Sequence, residues 1–475
     1  MKMASLSRKG FRALLLVALA TGLSSCDSFL DLTPQSERDE ATFYEDVSDF
    51  RTAVNGAYDA LQQRGTYNRN YWILFEMRSD NTDQGPDVTG LAADLAAINT
   101  FEAVTTNQNI ENAWTASYEG VQRCNKILAN IEGAEMEQSL RDQFTGEALF
   151  IRSLLYYHIA VAWGNVPLVL ESTNYPDVPA INQVGAGEVY SQIIDDLRRA
   201  EELLPQSYPS AQEGRATKGA AATLLGKVLL TEGNDGEAET ALRRVVDDYD
   251  YRLLDSYGDL WGTDRTENSA ESVFEVQFQS GGLGEGSRFT NTFSPSSDLQ
   301  TGEGLAENRP TLDMVQAYQD DRAGARFDPS MDTSYVDASG EVVEARYVEK
   351  YESEPFANFD APVNFIALRY ADVLLMLAEA IGESPEAYEL INQVRERVDL
   401  DPIGPDTPGS FEENLLHERR VELAFENHRW ADLKRFGQIE EVLDEEGVAD
   451  VNPLFPIPQR ALDVSPEVLE QNPGY

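Results

Sequence analysis

The densest chemistry in the chain lies in Leu415–Gly437, LLHERRVELAFENHRWADLKRFG. His417-Glu418 opens like the zinc-protease pattern, in which two histidines four residues apart hold the metal and the glutamate acts as base. The residue four after His417 is Val421, so the pattern fails. Only three histidines exist, His158, His417 and His428, and no Cys/His group has the spacing of a zinc site. No GxSxG elbow is present. Gly282, Gly284 and Gly286 form a GxGxG outside any βαβ unit and read as flexible chain rather than a phosphate cradle. Asp320, Asp321 and Asp328 do not match an EF-hand loop and read as a solvated acidic turn. Glycoside cleavage needs only two carboxylates at the right separation. With 83 Asp and Glu, that is the enzyme reading the sequence leaves open. The expectation is therefore no catalytic residues, no metal and no cofactor.

Binding is the alternative to catalysis. A sugar site wants flat apolar rings for the sugar faces, and amides or carboxylates for the hydroxyls. Trp114, Trp163 and Trp430 fall on helical stripes and read as core, and Trp261 reads as packing. Trp72 precedes the Asp80-Asn81 turn, and Phe289 and Phe293 lie in a Gly/Ser-rich stretch that should expose them. Trp72, Asp80, Asn81, Phe289 and Phe293 are the candidate ligand contacts.

Charge narrows the ligand class. Against the 83 acids stand 37 basic residues, 7 Lys and 30 Arg, giving a net charge of −46. Such a surface repels phosphate backbones, which argues against nucleic acid, and disfavours polyanions in general. Carboxylates spread along the chain with few lysines are also the pattern of a surface built for a very salty habitat, where repulsion is screened to short range.

Helices must position most of these residues. Phe50, Val54, Tyr58 and Leu61 recur at helical spacing, as do Trp114, Tyr118, Val121, Ile127 and Leu128. Further helices are expected from Ser139/Asp142 to Gly164-Asn165, and over 188–204, 217–232, 237–248, 365–381, 385–397, 411–436 and 466–471. Ser384-Pro385, Ser410 with Glu413, and Ser465-Pro466 supply start signals. Ser272–Phe278 alternates and predicts a strand. Ser280–Gly304 has no period and predicts a long loop. Paired helices joined by short turns predict a mainly α chain of tetratricopeptide-like hairpins, with an irregular loop-rich half and a few short strands.

The N-terminus reads separately. Lys2, Arg8, Lys9 and Arg12 precede an apolar run, Ala13–Ala20, too short to span a membrane. The run ends at Leu23-Ser24-Ser25-Cys26, which resembles a bacterial lipobox. The expectation is removal of residues 1–25 and lipid attachment at Cys26. Cys124 would then be left alone, as a small buried hydrophobe.

Several segments resemble one family, the SusD/RagB outer-membrane lipoproteins. They are Gly146–Val169, Arg215–Leu230, Arg346–Tyr351, Leu368–Ala380, Leu415–Gly437 and Asn452–Tyr475, together with Ser79-Asp80-Asn81. The resemblance implies one SusD-like domain over 26–475, with an N-terminal part to about 250 and a C-terminal part from about 270. It implies a non-catalytic protein, lipid-anchored and facing outward on the outer membrane. Such a protein captures glycans, or in some members peptides, for a SusC-like TonB-dependent transporter. Ligand contacts would fall in the segments matching Asp80–Thr100 and Ser280–Gly304. Deleting the second should weaken ligand binding and spare transporter association.

Overall fold

The computed structural model describes residues 43–85, 89–90, 92–172, 182–263, 265–320, 324–445 and 451–475. Cys26, the leader and the linker after it, and Asp321, lie outside the described residues. The stack begins with α1 (Val47–Gln62), followed by the short α2 (Asn70–Phe75). A capping box starts α1: the Asp46 carboxylate accepts from the Ser48 and Asp49 amides, and Asp49 answers toward the Asp46 backbone.

Next come α3 (Gln108–Asn130) and α4 (Gln138–Trp163). Asn107 caps α3, whose buried stripe carries Ile110, Trp114, Val121, Cys124 and Ile127. Cys124 is fully buried, and burial pushes its thiol up to about 12. Helix α4 is buried on every side from Phe144 to Trp163 and ends at Gly164, where φ is +69°. It starts at Gln138, so Ser139 lies inside it, and no side chain caps that end.

Helices α5 (Ala186–Leu203), α6 (Lys218–Thr231) and α7 (Asp235–Asp248) each pack on the one before. The short turns after α3 and α6 force antiparallel neighbours. The stack then leaves off for the loop-rich half and resumes with α8 (Tyr370–Ile381) and α9 (Pro385–Glu396), where α8 packs on α7. Strand β1 (Ser272–Val276) pairs antiparallel with β2 (Phe365–Arg369), and β2 runs directly into α8. The helix expected over 365–381 is thus a buried strand and then a helix.

Two more helical expectations are corrected. No helix covers 466–471; a short helix occupies Gln459–Val464 instead, and Ser465 closes it rather than opening another. The expected helix over 411–436 is two, α10 (Phe411–Leu423) and α11 (Arg429–Arg435). Phe425 and Asn427 adopt left-handed φ of +69° and +67° at the break. The Glu76 carboxylate compels it by accepting from the Phe425 and Asn427 amides at 2.8 and 3.1 Å. Ser410 and Glu413 do form the expected capping box at the start of α10.

Candidate functional site

An aromatic layer under the loop-rich half decides which side chains can meet a ligand. Tyr67, Tyr71, Trp72, Phe289, Phe293, Tyr351 and Phe365 interlock with ring centroids 5.0–5.9 Å apart, and Tyr351 stacks on Phe365. Trp72, Phe289 and Phe293 are at most 2% exposed. The expectation that Phe289 and Phe293 are exposed is therefore wrong. Flanking Gly and Ser hid a short helix, Phe289–Phe293, that drives both rings into the core. A deletion of Ser280–Gly304 would remove core and cannot serve as a clean binding test.

Asp80 and Asn81 are buried too. The Asp80 carboxylate takes a fork from Arg429 at 2.8 and 2.7 Å and an ion pair from Arg420 at 3.0 Å. Burial alone would raise its carboxyl, but the two arginines outweigh that and hold it at about 2. Asn81 donates to Glu76 at 2.8 Å and accepts from Arg420 at 3.0 Å. The Ser79–Asn81 turn and the Leu415–Gly437 segment are therefore one interlocked structure. None of the five candidate contacts faces solvent; they position the surface above them.

Glu76 has the pKa of a general acid, since burial lifts it to about 7. It is sealed inside, and its oxygens hold Asn81 and the two amides of the helix break. No sugar reaches it.

The loops above the aromatic layer are tied down. Asn291 donates to the Thr301 and Glu303 carbonyls at 2.9 Å and accepts from the Phe359 amide at 2.8 Å. Ser287 bridges to Ala361. Asp360 accepts from the amides of Gly281 and Gly282 at 3.2 and 2.6 Å, so the glycine run expected to be flexible chain is held by a carboxylate. Asn68 joins this loop to the turn before α2, accepting from the Arg288 amide at 2.9 Å and donating to the Gly286 carbonyl at 3.3 Å. Ala306, Asn308 and Phe359 all have φ between +53° and +60°. Non-glycine residues rarely hold that conformation without support from what surrounds them.

The side chains that top this face were missed in the sequence. Arg69 lies over Trp72 at 5.7 Å and pairs with Glu307 at 2.9 Å. Arg288 lies over Phe359 at 3.7 Å. Beside the face are two hollows of about 510 and 500 Å3. They share Glu213–Arg215 and Phe274-Glu275; the first reaches Gln62 and Glu285, and the second is lined by Tyr208, Tyr249 and Tyr251. A third hollow, about 630 Å3 and largely apolar, lies between α3 and the C-terminal segment, against Trp114, Tyr118, Val464 and Leu469.

Comparison with known proteins accords with this architecture. Residues 28–230 match a SusD-like family described as starch-binding and associating with the outer membrane, and residues 345–450 match the SusD family. The chain is 28% identical to SusD-like protein P2 of Formosa agariphila, over 98% of this chain and all of that protein. A solved laminarin-binding SusD-like protein superposes with a TM-score of 0.80 at 27% identity, covering 91% of this chain and 100% of that one. A SusD homologue from Bacteroides thetaiotaomicron has the same fold, with a TM-score of 0.80 at 23% identity, covering 93% of this chain and 100% of that one. The mainly helical stack, the loop-built face and these full-length likenesses lead to one assignment: the chain belongs to the SusD/RagB family, whose members are non-catalytic binding proteins.

Proposed function

We propose that this protein is an outward-facing lipoprotein of the outer membrane, anchored through Cys26. It captures extracellular glycan on the loop-built face and hands it to a SusC-like TonB-dependent transporter. The observation that carries this reading is the near full-length likeness to a laminarin-binding SusD-like protein at 27% identity. The family description, association with the outer membrane, supports the location, and the lipobox-like Leu23–Cys26 supports the anchor. Among the described residues no helix is long and apolar enough to cross a membrane, so a lipid would supply the attachment. Capture has to be reversible for the ligand to move on, which favours moderate affinity with fast release.

The test uses the mature protein from residue 27, without lipid, against a polysaccharide panel in affinity electrophoresis, with reducing ends assayed in the same samples. Retardation without new reducing ends is the expected result. Silence on every glycan overturns glycan capture, and reducing-end release overturns the non-catalytic assignment. Co-purification with a SusC-like barrel transporter tests the hand-over step.

A further inference from the structure

We infer that the loop-built face selects glycans that carry acid groups, uronate carboxylates or sulfate esters, through Arg64 and Arg288 beside Arg69. This rests on the glycan-binding reading above and names the ligand class.

In a chain with 83 acids and 37 bases, arginines should find carboxylates easily. Here Arg64 and Arg69 instead bear electrostatically on Arg288, with Glu307 and Glu303 opposing them. Arg69 takes Glu307. Among the described residues, Arg64 and Arg288 make no side-chain hydrogen bond or ion pair. The Nε of Arg288 is buried without a partner, and its guanidinium is pressed flat on the Phe359 ring at 3.7 Å. The backbone holds it there from both sides: the Arg288 amide is fixed by Asn68, and Phe359 is locked at φ +60° by Asn291. Burial, together with Arg64 and Arg69, lowers the Arg288 guanidinium to about 10, against the opposing pull of Glu307 and Glu303. Mutual repulsion of this kind is what an added anion relieves.

The rings under the arginines point the same way. A neutral sugar is held by a bare ring against its apolar face. Phe359 is capped by Arg288, and Trp72 is buried beneath Arg69. At Arg69 and Arg288 the face presents planar guanidinium, whose fork of N–H donors matches carboxylate and sulfate oxygens. Phe356, 65% exposed in the turn that carries Phe359, adds one bare ring beside them. The local positive patch also runs against the sequence-based expectation that polyanions are disfavoured. The chain's overall charge suppresses non-specific adhesion to acidic polymers, so any such binding reports the patch.

The experiment compares the mature protein with Arg64→Gln/Arg288→Gln. Probes are polygalacturonate, its carboxyl-reduced form, dextran sulfate and laminarin, at moderate salt, with thermal unfolding as the fold control. The expected result is binding of polygalacturonate or dextran sulfate, no binding of the reduced polymer, and loss of about tenfold per guanidinium removed at unchanged Tm. Which acidic probe binds distinguishes carboxylate from sulfate. Binding of laminarin alone, or acid binding equal in the variant, overturns this inference and leaves glycan capture standing. Binding of no glycan overturns both.

Discussion

The arginines of this chain live in two settings, and the contrast separates scaffold from site. Inside, Arg369 contacts Glu271 at 3.1 Å, Glu422 at 2.6 Å and Glu426 at 2.6 Å, all with no solvent exposure. Arg326 pairs with Glu418 and Glu422, Arg397 with Glu271 and Glu422, and Lys350 with Glu426. A second group links Lys227, Asp372, Arg419, Asp432, Arg435 and Glu379 in alternating sign. On the loop-built face, Arg64 and Arg288 stand near other arginines. An ion left without partners in the interior costs several kcal/mol. The buried Arg78 is met by the Asn452 carbonyl and the Phe101, Trp430 and Phe455 rings, and the remaining buried arginines named above by carboxylates. The interior network therefore reads as architecture. Unmet charge at a surface can wait for a ligand.

The sharpest break would come from the interior. Arg369→Ala removes the cation shared by Glu271, Glu422 and Glu426, leaving them to Arg397, Arg326 and Lys350 with one positive charge fewer in the interior. It should cost about 3–5 kcal/mol, read as a large fall in Tm or loss of soluble protein. An unchanged Tm would mean that the network is not structural. Phe289→Ala should lose a similar amount, about 3–5 kcal/mol, by opening a cavity in the aromatic layer. A mild stability effect with selective loss of glycan binding would instead return Phe289 to the role of a ligand contact.

Acid should attack the interior before the face. Burial lowers His158 to about 3 and His428 to about 4, against an ordinary value of 6.5. Both fold as neutral rings; His158 is bonded to the Tyr67 hydroxyl at 2.8 Å, and His428 Nδ1 accepts from Lys227 at 2.7 Å. Their contribution is complete above 6.5 and is lost as pH falls from there toward 3–4. Asp80 and Asp432, each held at about 2, add a loss only below their ordinary value of 3.8. Glu76, raised to about 7, works the other way and gains stability as pH falls from 7 toward 4.5. The histidine loss is therefore read in chemical denaturation as a difference: the stability cost of His158→Phe should shrink as pH falls from about 6.5 toward 4. A cost that stays constant over that range would contradict it.

Smaller effects complete the series. Ser410→Ala removes the cap of α10 and should cost about 1 kcal/mol, measured by urea unfolding. Arg64→Gln/Arg288→Gln should change stability by less than about 0.5 kcal/mol while abolishing most acidic-glycan binding.

Local pattern made the helix stripes, the Ser384 and Ser410 caps and the buried Cys124 legible, because each depends on neighbours within a turn. What depends on distant partners was hidden. The break after Leu423 needs Glu76, and the burial of Asp80 needs Arg429; nothing in LAFENHRWADLK announces either. Phe289 and Phe293 were misplaced because glycine and serine around them suggested exposure, whereas Thr290 and Asn291 tie that segment inward through the Tyr351, Thr301 and Glu303 carbonyls. Arg64, Arg69 and Arg288 carried no signal at all. Their meaning comes only from where the fold brings them together.

The central claim is that glycan binds the loop-built face rather than the helical stack. Hydroxyl-radical footprinting of the mature protein, with and without its best-binding glycan, tests this directly. The account predicts protection at Arg64, Arg69, Arg288 and Phe359, with the α3–α7 stack unchanged. Protection confined to the stack, or to the apolar hollow at Trp114 and Leu469, would contradict it.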